Sequence, residues 1–255
     1  MKNARILAAC GKGGVGKTSL SAFITRVLIE REERRVLAID ADPASGLAGA
    51  LGFNVSKTVD DIRIELIRRV GEGAGGDNRE ILSFLDYEVF SAIEERDNLA
   101  FLAIGRPETD GCYCQVNELL KEIISSIAEN FDFIVIDGEA GIEQINRRVM
   151  EKVNHLVLVS DASAKGLAVA KTIGELSRNI IRCDTVGLII NRLRGERERE
   201  GLSIPQGMEV LGWVPEDDAV RNHDILGLRL LDAPECPALA SVRSCLMRLG
   251  VEPLN

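Results

Sequence analysis

The chain has 255 residues, 45% of them hydrophobic and 28% charged, which is enough apolar side chain for one sizeable α/β core. A net charge of −9 argues against a broad nucleic-acid surface, and no apolar run approaches the ~20 residues of a membrane span. The first apolar run is strand-length and leads straight into a glycine-rich turn. It is therefore read as a strand rather than a signal peptide, and the expected compartment is the cytoplasm.

Ile6-Leu7-Ala8-Ala9-Cys10 suits a buried strand, and Leu20, Phe23, Ile24, Val27 and Leu28 recur at helical spacing. Between them lies Gly11-Lys12-Gly13-Gly14-Val15-Gly16-Lys17-Thr18, the pattern of a phosphate-binding loop with a second lysine, Lys12, after the first glycine. A glycine turn between strand and helix aims free backbone N–H groups at an anion, and the helix dipole adds to the attraction. Gly13, Gly14, Val15, Gly16, Lys17, Thr18 and Ser19 form the expected phosphate cradle. Lys17 is placed to reach the β- and γ-phosphates, and the Thr18 hydroxyl to ligate Mg²⁺. Gly11, Gly13 and Gly16 also fit the dinucleotide fingerprint, with Asp40 at the distance of a ribose-binding carboxylate. That alternative gives no reason for Lys17-Thr18.

Farther along, Val36–Ile39, Leu99–Ile104, Phe133–Ile136, Leu156–Val159, Val186–Ile190 and Val210–Leu211 read as strands. Val116–Ala128 and Leu167–Ile181 read as amphipathic helices between them. The alternation predicts a mostly parallel sheet with helices on both faces, in one domain over residues 1–255. Gly71–Asn78 reads as a mobile loop, Arg192–Glu200 as a solvated loop, and Val242–Leu249 as a docked closing helix rather than a membrane anchor.

The strand ends carry the remaining chemistry. Asp40-Ala41-Asp42-Pro43 puts two carboxylates where ligands of open α/β sheets bind; a helix-capping role is the alternative for either. One carboxylate can order Mg²⁺ waters and the other orient an attacking water. Phe133–Asp137 suits an apolar strand with Asp137 near the metal, and Gly141 would let the backbone approach a γ-phosphate. Asn191-Arg192 ends another strand. The amide of Asn191 offers adenine a donor and an acceptor, and a turn-forming role is equally open. Gly212-Trp213-Val214-Pro215-Glu216-Asp217 is read as following the next strand and walling the base.

Taken in order, Lys-Gly-Gly-Val-Gly-Lys-Thr, Asp-Ala-Asp-Pro, Asp-Gly-Glu-Ala-Gly, Asn-Arg and Val-Pro-Glu-Asp resemble the deviant Walker A ATPases over about residues 4 to 225. That family includes MinD, ParA, the arsenical pump and tail-anchored-protein ATPases, the nitrogenase iron protein and the CooC nickel-insertion proteins. The resemblance implies a P-loop NTPase that hydrolyses ATP to ADP with Mg²⁺ in a nucleotide-dependent homodimer. It implies that Lys12 crosses to the partner's nucleotide and that Lys17 and Asp42 join it in catalysis, with Asp42 positioning water. It also implies that Asp40 and Asp137 support Mg²⁺ with Thr18, and that Asn191, Arg192, Pro215, Glu216 and Asp217 hold the base.

Of six cysteines, Cys10 and Cys183 sit beside apolar segments and are simplest as packing residues. Cys112 and Cys114 lie in a polar loop before the Val116–Ala128 helix. Two thiols fall short of the four ligands Zn²⁺ prefers, and a two-fold dimer would complete the set; two incidental thiols are the alternative. A Cys-x-Cys here, with Glu-Ala-Gly after Asp137, resembles the CooC group and puts Ni²⁺ or Zn²⁺ on Cys112 and Cys114. The resulting expectation is an ATP-driven metallochaperone serving a nickel client such as carbon monoxide dehydrogenase, without nucleic acid or stable membrane insertion. The alternatives are a metal-free positioning ATPase of the MinD/ParA kind and a nucleotide-dependent iron–sulfur electron donor.

Overall fold

The computed structural model describes residues 4–42, 45–71, 78–105, 114–139, 149 and 152–251; for residues 78 and 114–117 only the backbone is described. Its eight strands are β1 (Arg5–Gly11), β2 (Val36–Asp40), β3 (Glu94–Arg96), β4 (Leu99–Ala103), β5 (Phe133–Asp137), β6 (Lys152–Ser160), β7 (Arg182–Leu193) and β8 (Val210–Pro215). They form one sheet in the order β3-β4-β2-β5-β1-β6-β7-β8. All pairs are parallel except β3 with β4. Strands β2, β4 and β5 are buried at every position, as a sheet covered on both faces requires.

Two apolar layers cover the sheet. Helices α1 (Lys17–Ile29) and α2 (Gly46–Leu51), with the segment 230–246, pack on one face through Leu20, Phe23, Leu47 and Leu239. On the other face lie α3 (Val59–Gly71), α4 (Asn78–Ala92), α5 (Cys114–Ala128) and α6 (Ala164–Ile180), through Ile62, Leu85, Ile124 and Leu167. The remaining helices are α7 (Glu196–Glu200), α8 (Asp218–Leu226) and α9 (Pro237–Arg248), with a 3₁₀ turn at Leu230–Asp232. In α9, Pro237 occupies the first turn, where its missing N–H costs nothing, and Val242, Cys245 and Leu246 are buried. The expected closing helix is therefore docked on the core. Among the described residues no helix is long and apolar enough to cross a membrane.

The structure corrects the sequence reading in two places. Arg192 and Leu193 continue β7, and Glu196–Glu200 is a helical turn rather than loop. An ion pair between Arg199 and Glu196 steadies that turn, and the Arg199 guanidinium lies 5.0 Å over the Trp213 ring. Residues Gly212 to Pro215 lie inside β8, so only Glu216 and Asp217 follow the strand. Most of the Gly71–Asn78 segment lies outside the described residues: Gly71 ends α3 and Asn78 opens α4.

Candidate nucleotide site

Three central strands, β2, β5 and β1, end side by side. Asp40 is level with Asp137, and Asp137 with Ala9, so two buried carboxylates meet beside the root of the glycine loop. Hydrogen bonds from Ala41 N to the Asp137 carbonyl and from Gly138 N to the Ala9 carbonyl, both 2.9 Å, tie the three ends together. Gly11 closes β1 because a Cβ there would strike the Val159 carbonyl of β6 at 2.1 Å. The first glycine of the motif therefore answers to sheet packing. Gly16 sits at φ 89° immediately before α1, and a Cβ there would lie 2.4 Å from the Asn191 amide nitrogen.

Lys17 is buried at the start of α1, and its Nζ donates to the Lys12 carbonyl at 3.4 Å. Lys12 itself is half-buried, and Gly13 and Gly14 are exposed. Thr18 and Ser19 follow on the first turn of α1, whose N-cap Gly16 supplies no side chain. The free N–H groups of that turn are a ready anion site.

Asp40 is 1% exposed. Its Oδ1 accepts from Asp42 N at 3.2 Å and its Oδ2 from Leu47 N at 2.9 Å. It thus shapes the segment that carries Asp42, a half-buried residue whose carbonyl accepts from Ser45 N at 2.9 Å. Burial and the neighbouring Asp137 raise the Asp40 pKa to about 7. Asp137 is 0% exposed; its Oδ1 accepts from Ser21 Oγ at 3.2 Å, while Oδ2 is buried without a hydrogen-bond partner. Burial raises its pKa to about 6, and the Thr18 hydroxyl and Lys17 charge hold it back.

Three carboxylates crowd the mouth of the loop, one with an orphaned oxygen. That arrangement fits a small dication held by one carboxylate, the Thr18 hydroxyl and a nucleotide phosphate, as Mg²⁺ is commonly bound. Among the described residues no group of three or more His, Cys, Asp or Glu side chains is placed to hold a metal by itself. Ser21 escaped the sequence reading. The signal was there: Thr18, Ser21 and Thr25 are polar residues at helical spacing on an otherwise apolar stretch, and Thr25 Oγ1 donates to the Ser21 carbonyl at 2.8 Å.

Beside the loop, a cavity of about 210 Å³ is lined by Ser19, Phe23, Asn191, Pro215, Glu216 and Asp217 among others. The base-holding residues expected from sequence do converge, though several are committed to the protein itself. Asn191 Nδ2 donates to the Val15 carbonyl, and Arg192 Nη1 to the Gly14 carbonyl, both at 2.9 Å. Glu216 Oε2 accepts from Arg194 Nε at 2.9 Å. Asp217 caps two helices at once, accepting from Ala219 N at 2.9 Å and Ala238 N at 3.0 Å. Pro43, Gly141 and Cys112 lie outside the described residues, and Cys114 opens α5 with only its backbone described. Cys10 is buried in the core and Cys183, half-buried on β7, packs against it, both as expected.

A glycine turn from a central parallel strand into a helix, with lysine and threonine at the first helical positions and aspartates ending the neighbouring strands, defines a P-loop nucleotide-binding protein. Residues 6–229 match the family model described as the CobQ/CobB/MinD/ParA nucleotide binding domain, and the chain belongs to that family. It is an ATPase of the deviant Walker A class. An uncharacterised ATP-binding protein of Methanocaldococcus jannaschii is 34% identical over 90% of this chain and 92% of its own. The carbon monoxide dehydrogenase accessory protein CooC of Rhodospirillum rubrum is 29% identical over 96% of this chain and 97% of its own. In fold, the chain is similar to the septum site-determining protein MinD of Pyrococcus horikoshii complexed with Mg-ADP. That match has a TM-score of 0.66, 21% identity and 96% coverage of both chains.

Proposed function

We propose that this ATPase is a metallochaperone for nickel-enzyme maturation, acting as a homodimer on a client such as carbon monoxide dehydrogenase. The observation that carries the proposal is Cys112-x-Cys114 at the entrance to α5, in a chain similar to CooC over nearly its whole length. Two thiolates per chain, paired across a two-fold axis, make a four-sulfur site for Ni²⁺ or Zn²⁺.

In this reading Gly13 to Ser19 cradle the phosphates and Lys17 leaves the Lys12 carbonyl for the β- and γ-oxygens. Thr18 and Asp137 hold Mg²⁺, which neutralises phosphate charge when bound, and Asp40 supports them from behind. Asp42 orients the water that attacks the γ-phosphorus, in line with the bond to the departing ADP oxygen. Lys12, half-buried and not needed for the cradle, reaches the partner's nucleotide. Gly141 reports the loss of the γ-phosphate. Asn191, Pro215, Glu216 and Asp217 form the adenine side of the cavity, which Arg192 also lines.

The test is metal content and affinity of anaerobically purified protein, with and without ADP. One tight thiolate-bound metal per dimer, lost in the Cys112→Ser/Cys114→Ser variant while ATP binding survives, supports the proposal. Full-affinity metal binding by that variant refutes the shared site. Absence of metal from an active ATPase favours the positioning reading, and an iron–sulfur absorption spectrum the electron-donor reading.

A further inference from the structure

Strand β7 ends against the nucleotide loop in a way the base-binding reading does not use. Asn191 is buried, and its Nδ2 donates to the Val15 carbonyl; the next residue, Arg192, donates from Nη1 to the Gly14 carbonyl. Two successive side chains thus hold two successive loop carbonyls, 176 and 178 residues away in sequence. Arg192 does this from φ 59°, a left-handed conformation that costs a side-chain-bearing residue energy. The pairing of β7 with β8 is irregular there, its register shifting between Ile190 and Leu193. The fit is mutual, because the space a Cβ of Gly16 would take is filled by the Asn191 amide.

A trans peptide is planar, so fixing a carbonyl fixes the following N–H to point the opposite way. Holding the Gly14 and Val15 carbonyls toward β7 aims the N–H groups of Val15 and Gly16 away from it. Those are donors of the phosphate cradle. The Val15 carbonyl needs a donor, so the Asn191 amide must present Nδ2 to it, which fixes the orientation of the amide and leaves Oδ1 and the second N–H for other partners.

We infer that Asn191 and Arg192 are positioning residues that set the shape of the phosphate loop, and that Arg192 acts on the loop rather than on the nucleotide. The inference rests on the reading of residues 11–18 as an ATP site.

The decisive variants are Arg192→Gly, in which the left-handed backbone is relaxed and only the side chain is lost, and Arg192→Lys. ATP, GTP and ADP affinities, kcat and KM are measured for each, with millimolar guanidinium added back. For Arg192→Gly, ATP, GTP and ADP should all bind about tenfold more weakly with their ratios unchanged, and kcat should fall. Guanidinium should recover part of both losses, Arg192→Lys should lie between, and the nucleotide-free melting temperature should hold. Wild-type affinity and turnover in Arg192→Gly overturn the inference. So does a loss shared by ATP and ADP but not GTP, which alters the ATP-to-GTP ratio and marks a direct base contact. If the wild-type chain binds ATP, such results leave the ATP-site reading standing; a wild-type chain without ATP affinity overturns both.

Discussion

Asp137→Asn should make the nucleotide-free protein more stable while removing its grip on Mg²⁺–nucleotide. The carboxylate is fully buried, with one oxygen on Ser21 Oγ and the other unpartnered. Its pKa rises from 3.8 to about 6, chiefly through burial, with the Asp42 charge adding to the rise. A carboxyl whose pKa is raised by folding disfavours the native state once ionised. The cost is absent below pH 3.8, grows through the window, and is complete above about 6. At ~1.4 kcal/mol per pH unit it reaches about 3 kcal/mol. Asparagine keeps the Ser21 contact but places an amide N–H at the orphaned position, offsetting roughly 1 kcal/mol. The expected net gain near pH 8 is about 2 kcal/mol, or roughly 4–8 °C in Tm for a chain of this size. Urea and thermal unfolding of wild type and variant, free of nucleotide, from pH 4.5 to 8 give the difference directly. The difference should grow with pH and nearly vanish at the acid end. An equal difference at both ends, or no gain at pH 8, refutes the assignment of strain to this carboxylate. The same variant should lose the thermal protection that Mg-ADP gives wild type.

Gly16→Ala should nearly abolish nucleotide binding and destabilise the chain by about 2 kcal/mol, since it combines left-handed strain with a collision against the Asn191 amide; isothermal titration and melting check both. His155 is buried with Nε2 3.2 Å from Arg5 Nη2 and Nδ1 2.8 Å from Thr185 Oγ1. Burial and the Arg5 charge lower its pKa, and Asp184 opposes them only in part. The neutral ring's contribution is therefore full above pH 6.5 and is lost as pH falls through the lower folded value, so His155→Gln should flatten the stability profile in that acid window.

Much of the site was legible because its chemistry is local. The loop, the helix after it and the strands ending at Asp40 and Asp137 each carry their own apolar pattern and punctuation. Contacts made at long range were the ones the sequence did not show. The Asn191 amide, read as a partner for a base, also donates to a loop carbonyl that no spacing rule connects to it. Asp217, read as part of a wall, lines the cavity and also caps both α8 and α9. Strand β3 was unreadable because Glu94-Glu95-Arg96 is short and polar, and becomes a strand only by pairing antiparallel along the sheet edge. The Glu196–Glu200 turn showed only as charge, since no apolar face marks it and its N-cap, Gly195, has no side chain to cap it.

The position of β1 also governs when this protein can begin to work. The loop is encoded at the amino end, but β1 lies between β5 and β6, and the loop's carbonyls are held from the far end of β7. During synthesis the chain up to about residue 130 emerges with a glycine turn that has neither floor nor clasp. Closing those distant contacts is slow chain search rather than local zippering. A ribosome-bound chain ending before Asn191 should be blind to ATP however long it waits, and the competence to bind should arrive abruptly once β7 has left the exit tunnel.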